Sequence, residues 1–353
     1  MSALCRHFGT CGGCTFQDMP HAAYRDMKRE QVVLALSRHG LEKVPIELPA
    51  DVEPGTRRRA ALKAVKRDGV VELGFRAARS HRIVDLSECR VLTPGLVALI
   101  PPLRELLTVL LRDGEEAETR LTEADNGIDL EVGVVSDRVS RHAPALARWA
   151  NRFGIARVTV HGESAVQFAS PVVHFAGAEV EIAPTSFLQP THRGERLLQE
   201  AVQDAMKGVG RIVDLFAGCG TFTLPLAGRA HVHAVDSDAA SIAALLAAAR
   251  KTQKLKPVTA EVRDLFRRPL SATELDRYDA AVLDPPRAGA AALAKTLAAS
   301  KLTRAAYVSC NPETFAHDAR ILGDGGWRIE SVQPVDQFLW SSHIELVAFL
   351  GRH

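Results

Sequence analysis

The sequence predicts an α/β protein: a doubly wound, mostly parallel sheet in the C-terminal half, preceded by an α+β region. Three observations predict it. From residue 184 onward, strand-like runs alternate with helix-like runs, as in RIVDLFAGCGTFTLPLA, HVHAVDSD, AASIAALLAAARKTQ and VTAEVRD. Such alternation implies a parallel sheet covered on both faces. A glycine-containing turn, Asp214-Leu215-Phe216-Ala217-Gly218-Cys219-Gly220, sits between the first strand and its helix. Before residue 184, by contrast, hairpin-like and helical stretches mix without that rhythm. The segments read as 1–93, 94–183 and 184–353.

Composition narrows the function classes. The chain has 353 residues, 46% of them apolar, and a net charge of +2. No apolar run approaches the ~18 residues of a membrane span. The start, MSALCRHFGTCGGC, has no apolar signal core. A cytoplasmic protein without a membrane partner, and a monomer, is expected. Charge is uneven: residues 1–93 carry 16 Lys/Arg against 11 Asp/Glu, residues 94–140 only 4 against 10. A local basic face of this kind suits phosphates. Six cysteines in a chain of this class point to metal binding or catalysis rather than disulfides.

Taken in order, Cys5, Cys11 and Cys14 form C-x5-C-x2-C, and Cys89 follows in SECRVLTP. Four such thiols suit zinc or a [4Fe–4S] cluster, and spacing alone does not choose. Residues 20–40 read as a helix opened by Pro20 and closed by Gly40. RRAALKAVKRDGVVELGFR reads as a hairpin turning at Asp68-Gly69. Alternation puts Arg57, Arg59 and Lys63 on one face, with Phe75 either stacking on a base or joining the core. PGLVALIPPLRELLTVLLRDG is a helix interrupted at Pro101-Pro102. GIDLEVGVV is a strand ending near Ser136-Asp137, ARWANRFGI a helix, and ARVTVHG, SAVQFAS and HFAGAEVEIAP strands. In the second half, RYDAAVLDPPRAG and RAAYVSC are further strands. WRIESVQPVDQF and HIELVAFL close the sheet as a hairpin.

The chemistry gathers at strand ends, where open α/β sheets bind ligands. The D-x-F-x-G-x-G turn lacks the third glycine of a dinucleotide fingerprint, which favours S-adenosylmethionine over NAD. Asp236, closing the second strand, is placed to accept ribose hydroxyls. Asp284 begins the rigid D-P-P-R at the fourth strand end. Cys310 ends the fifth strand, ahead of Asn311-Pro312. Glu345 lies among apolar residues, where an unpaired acid is costly, and shares a strand face with His343. A thiol, a carboxylate and a methyl donor fit one reaction. Carbon 5 of a pyrimidine becomes nucleophilic only after a thiolate adds to carbon 6, and a base must then remove its proton. Cys310 and Glu345 are the candidates. An amino-group methyltransferase using D-P-P-R, and a non-catalytic RNA-binding iron–sulfur protein, are the competing readings.

The segments DLFAGCGTFTLPLA, LDPPRAG, YVSCNPETFAHD and HIELVAFL, with the cysteine set and LGFR…SECRVLTP, resemble the uracil-5 RNA methyltransferases. The resemblance implies a class I S-adenosylmethionine-dependent methyltransferase fold and formation of 5-methyluridine in RNA. It implies Cys310 as nucleophile and Glu345 as proton acceptor. It places Gln189, Phe216, Asp236 and Asp284 around the cofactor and uridine. The family commonly has Asn where Thr221 stands. Cys5, Cys11, Cys14 and Cys89 match ligands of a [4Fe–4S] cluster, which marks the ribosomal RNA branch. The motif begins at Cys5, so the layout resembles the shorter bacterial 23S ribosomal RNA enzyme without an N-terminal RNA-binding barrel. Transfer RNA is the alternative substrate, and substrate grip is expected from residues 1–180.

Overall fold

The computed structural model describes residues 5–134 and 136–352. Its C-terminal half is an eight-stranded sheet in the order Ala50–Asp51, Arg328–Asp336, Glu345–Gly351, Arg304–Ser309, Ala280–Leu283, Arg211–Leu215, His231–Asp236, Val258–Val262. The five strands from Arg304–Ser309 to Val258–Val262 are parallel. Glu345–Gly351 runs antiparallel to both of its neighbours, so the expected closing hairpin is present. These strands are apolar on both faces because both are covered. Val213 and Leu215 enter a core with Leu293 and Phe315, whereas Ile212 faces Leu198 and Phe222.

The first helix, His21–Arg38, belongs to this layer. Val32, Ala35 and Leu36 pack into the same core as Phe315 and Leu322. The two-residue strand Ala50–Asp51 pairs in parallel with Val335 and Asp336. Residues 20–51, read from sequence as part of the cysteine-rich segment, are therefore built into the catalytic half. A two-residue edge strand has no periodicity to read, and an apolar helix face does not name its partner.

The second sheet has seven strands, ordered Ile83–Asp85, Val70–Arg76, Arg59–Arg67, Glu116–Ala124, Gly127–Val132, Ile155–Val160, Glu163–Gln167. All neighbours are antiparallel except Gly127–Val132 with Ile155–Val160. The sheet crosses residue 93, so the segments 1–93 and 94–183 share one layer. The Asp68-Gly69 turn is as expected, with both φ values positive. Helix Pro94–Leu110 runs unbroken through Pro101 and Pro102. Burial of Leu96, Leu99, Ile100, Leu103 and Leu107 against Leu62, Leu73 and Leu130 outweighs the lost hydrogen bonds.

Two further readings need correction. HFAGAEVEIAP is not one strand: Val172–Phe175 and Ala178–Glu181 form a hairpin turning at Ala176-Gly177. It packs Phe175 and Val180 against Leu245 and Ala248 of helix Ala239–Lys251. The chain near Ser136 enters a short helix, Ser136–Arg141, rather than only ending a strand.

Candidate active site

Parallel strands deliver their carboxyl ends to one rim, and the register shows what meets there. Ser309 pairs with Leu346 across an antiparallel ladder; Cys310 follows directly, near enough to Glu345 at the start of the facing strand for that carboxylate to act on the thiol. Asn311 then caps helix Pro312–Asp324: its side chain accepts from the Glu313 amide, and Pro312 takes the first helical position. The thiol is thus fixed between a strand end and a helix start.

Burial pushes the Cys310 thiol up to about 11, and the carboxylates of Glu345 and Asp284 push in the same direction. Arg287 acts the other way. The carboxyl of Glu345 is held well above the usual range, first by burial and then by Asp284. Asp284, half-buried, rises to about 7 through desolvation and the charges of Asp214 and Asp236. Asp214, wholly buried, also rises to about 7. One of its oxygens accepts from Thr223 Oγ1 at 2.6 Å, and the other has no partner. The rim therefore concentrates acids whose charge is disfavoured, a pattern found where proton transfer takes place.

Gln189 is buried beside them. Its Nε2 lies 3.3 Å from Asp284 Oδ2, and its Oε1 accepts from Gln337 Nε2 at 2.7 Å. Gln337 also donates to Glu345 Oε2 at 3.1 Å. Gln189 thus links Asp284 to the carboxylate at Glu345, on the side of the rim where Cys310 lies.

The glycine turn divides its labour. Phe216 sits at φ +64° and Gly218 at φ +54°. Asp236 accepts from the Gly218 and Asp238 amides, each at 2.8 Å, so it shapes the turn directly. A Cβ on Gly218 would meet nothing within 4 Å, which leaves the backbone open to a ligand. Gly220 differs. A Cβ there would lie 2.4 Å from Leu245 Cδ1, so its bareness serves packing rather than ligand approach. The Thr221 carbonyl accepts from Gln199 Nε2 at 3.0 Å.

Several residues at the rim carry no sequence signal. Gln337 lies in a run that reads only as a strand end. Phe266 packs its half-exposed ring 5.5 Å from Phe216, beside the glycine turn. Arg287 offers its carbonyl to Asn311 Nδ2 and Thr314 Oγ1, tying the D-P-P-R loop to the cysteine loop. His343 does not share the setting of Glu345. It is exposed, precedes the strand, and faces the N-terminal cysteines.

Those cysteines come together. Cys5, Cys11, Cys14 and Cys89 line one cavity of about 340 Å³, along with Phe75, Arg57, Phe338 and His343. All four are free thiols. Phe75 is thus a wall of this cavity, next to Gly13. Among the described residues, no three His, Cys, Asp or Glu side chains form a group able to hold a single metal ion. A tetrahedral zinc would draw its sulfurs to roughly 3.8 Å apart; an iron–sulfur cube keeps its own atoms between its ligands.

The arginine run does not form a free basic face. Arg58 is buried, pairs with Glu195 at 2.6 Å and donates to the Gln189 carbonyl at 3.1 Å. Arg59 donates to the Leu188 carbonyl at 2.5 Å and lies 4.9 Å over the exposed Phe187 ring. Arg57 covers Phe338 at 5.7 Å. Lys63 pairs with Glu118. Alternation placed these charges; it could not show that they clamp the loop carrying Gln189.

Residues 174–353 match the family model described as tRNA (uracil-5-)-methyltransferase. The chain is 42% identical to an uncharacterized RNA methyltransferase of Rhizobium meliloti (strain 1021), over 99% of the chain and 85% of that relative. The chain belongs to the tRNA (uracil-5-)-methyltransferase family. This methyltransferase is also 35% identical to the 23S rRNA (uracil(1939)-C(5))-methyltransferase RlmD of Halomonas elongata, over 98% of the chain and 76% of that protein. Its fold matches the Pyrococcus abyssi tRNA (uracil-54, C5)-methyltransferase, solved with S-adenosyl-L-homocysteine. The TM-score is 0.75 at 26% identity, covering 96% of this chain and 85% of that one. The protein is an S-adenosylmethionine-dependent uracil-5 RNA methyltransferase with the class I fold. Among the described residues, no helix is long and apolar enough to cross a membrane.

Proposed function

We propose that the protein forms 5-methyluridine in 23S ribosomal RNA through a covalent adduct on Cys310. The observation that carries the mechanism is the gathering of Cys310, Glu345 and Asp284 at one rim, close enough for each carboxylate to act on the thiol and for Asp284 to act on Glu345. S-adenosylmethionine supplies an electrophilic methyl group at the glycine turn, where the open Gly218 backbone, Phe216 and Asp236 are placed to hold it. The Cys310 thiol gives its proton to solvent and the thiolate bonds to uracil carbon 6; the electrons of the C5=C6 double bond shift toward the carbonyl on carbon 4, which makes carbon 5 nucleophilic. Once carbon 5 carries the methyl group, Glu345 takes its proton. The electrons of that C–H bond re-form the ring double bond and expel the thiolate. Gln189 and Asp284 present amide and carboxyl groups of the kind that hold a uracil edge. The ribosomal target rests on the resemblance to RlmD. A cytoplasmic location follows from that substrate.

The four N-terminal cysteines fit a [4Fe–4S] cluster. They line a single cavity with room for an inorganic core, and all are unpaired thiols. Their role is structural, since the methyl transfer moves no electrons. Residues of the seven-stranded sheet and the cysteine loops would then grip RNA around the site. Protein purified without oxygen should contain iron and sulfide in equal amounts and lose both in the Cys89→Ser variant.

The deciding experiment is methylation of a uridine-containing 23S transcript. Cys310→Ala should lose both methyl transfer and the RNA–protein adduct, by at least about a thousandfold. Methylation at a normal rate by that variant would discard the adduct. Mass-spectrometric mapping in cells lacking the gene should show 5-methyluridine missing from 23S RNA; loss from transfer RNA alone would move the substrate there.

A further inference from the structure

Two amides bridge the buried acids of the rim: Asp284 to Gln189, Gln189 to Gln337, and Gln337 to Glu345. We propose that Gln337 is a positioning residue for the base, leaving Glu345 Oε1 as the oxygen that receives the carbon 5 proton. This rests on the reading of Glu345 as proton acceptor.

Gln337 is 1% exposed. An amide nitrogen has two hydrogens, and here one goes to Gln189 Oε1 at 2.7 Å and the other to Glu345 Oε2 at 3.1 Å. Turning the amide over would set its oxygen against two oxygens, so the donors are committed. Oε2 of the carboxylate is therefore already occupied, and an incoming proton goes to Oε1. The other end of the Gln337 amide makes the same point. Its oxygen is buried with no partner, a cost accepted for the two bonds at the nitrogen.

The fold holds this geometry from two sides. Helix His192–Ala205 leaves a notch at Gly194, where a Cβ would lie 2.5 Å from Gln337 Oε1 and 2.8 Å from Gln337 Cβ. The residue before Gln337 is anchored as well. Asp336 is held by Lys28 Nζ at 2.9 Å and by the Tyr24 hydroxyl at 2.5 Å. Tyr24 also accepts from the Trp340 amide at 2.7 Å, and Lys28 donates to the His343 carbonyl. The segment from Asp336 to Glu345 is thus pinned at both ends by the first helix.

The ionisable groups facing Glu345 are Asp284 from its strand end and Cys310 just beyond the end of the neighbouring strand. Asp336, on the adjacent strand, is engaged with Lys28 and Tyr24, and Glu195 of the neighbouring helix with Arg58. Burial and Asp284 favour the protonated acid, and the Gln337 hydrogen bond favours the carboxylate. Without it the carboxyl would hold its own proton to higher pH and be less able to take another.

The test separates methyl arrival from adduct release in single turnovers on the RNA transcript. Gln337→Met keeps length but has no donor. Methyl arrival, which does not use Glu345, should slow less than release. Release should slow by about tenfold near neutral pH, with its acidic limb displaced upward by about one pH unit. Gly194→Ala, which pushes the Gln337 amide out of its notch, should reproduce the displacement and carries the test if Gln337→Met does not fold. A folded variant, judged by melting and by S-adenosylmethionine binding, that releases RNA with the wild-type pH profile overturns the inference. Full methylation by Cys310→Ala, or no trapped adduct in Glu345→Gln, would instead overturn the mechanism beneath it.

Discussion

The two sheets handle charge in opposite ways. The eight-stranded sheet gathers Asp214, Asp284 and Glu345 at one rim and leaves their ionisation disfavoured. The seven-stranded sheet sends out Arg57, Arg58 and Arg59 from the start of one strand, then spends Arg58 and Arg59 on carbonyls and on Glu195. The first set is pushed by burial toward the protonated forms. In the second, Arg58 and Arg59 are committed and clamp the loop bearing Gln189. Reactive groups here are those the fold leaves incompletely satisfied, and the strongest charges are those it has already used.

The largest test of that contrast concerns the rim thiol. Because Cys310 sits near 11, it is protonated at neutral pH and ionises only as pH rises. Alkylation of Cys310 in the free enzyme should accelerate by about tenfold per pH unit between about pH 7 and 10. Peptide mass spectrometry would follow it, and a flat profile would show the thiol already ionised by a neighbour.

The clamp should show itself in stability. Arg58→Ala strands the buried Glu195 carboxylate and should cost about 3–5 kcal/mol in chemical denaturation. An effect under about 1 kcal/mol, the range of exposed pairs, would mean the clamp is ornamental. The glycine turn gives the smallest and sharpest comparison. Gly220→Ala overpacks Leu245 and forces alanine to φ +102°, so it should cost about 1–3 kcal/mol of overpacking on top of the backbone penalty. Gly218→Ala, in open space, should cost only the left-handed backbone penalty of about 1 kcal/mol, and should act mainly on S-adenosylmethionine affinity. Calorimetry with ligand titration separates the two; equal losses of affinity would show that both glycines face the ligand.

Much of this was legible in the sequence because it is written locally. Strand–helix alternation, the D-x-F-x-G-x-G turn and the Asn311-Pro312 helix start each announce themselves within a few residues. Cys310 and Glu345 stood out because an acid among apolar residues and a thiol at a strand end need a reason, and both do lie at the rim. The rest depends on partners far along the chain. Nothing near Arg58 tells that its guanidinium will be buried against Glu195, and nothing in Asp336-Gln337-Phe338 says which oxygens the amide will find. The Gly218 and Gly220 roles look alike in sequence and part only when Leu245 arrives.

The pairing of Ala50 with Val335, and of Lys28 with Asp336, has a consequence for how the chain reaches this state. The seven-stranded sheet lies in sequence between the first helix and the core it completes. Contacts of such long range close late and slowly, because the loop entropy is lost before they form. The N-terminal helix must wait for nearly the whole polypeptide before Lys28 and Tyr24 find their carboxylate. The same two contacts fix the segment leading to Glu345. Placement of Glu345 at the rim is thereby a closing event of folding, and a chain arrested short of its C-terminal strands would hold a glycine turn without that carboxylate.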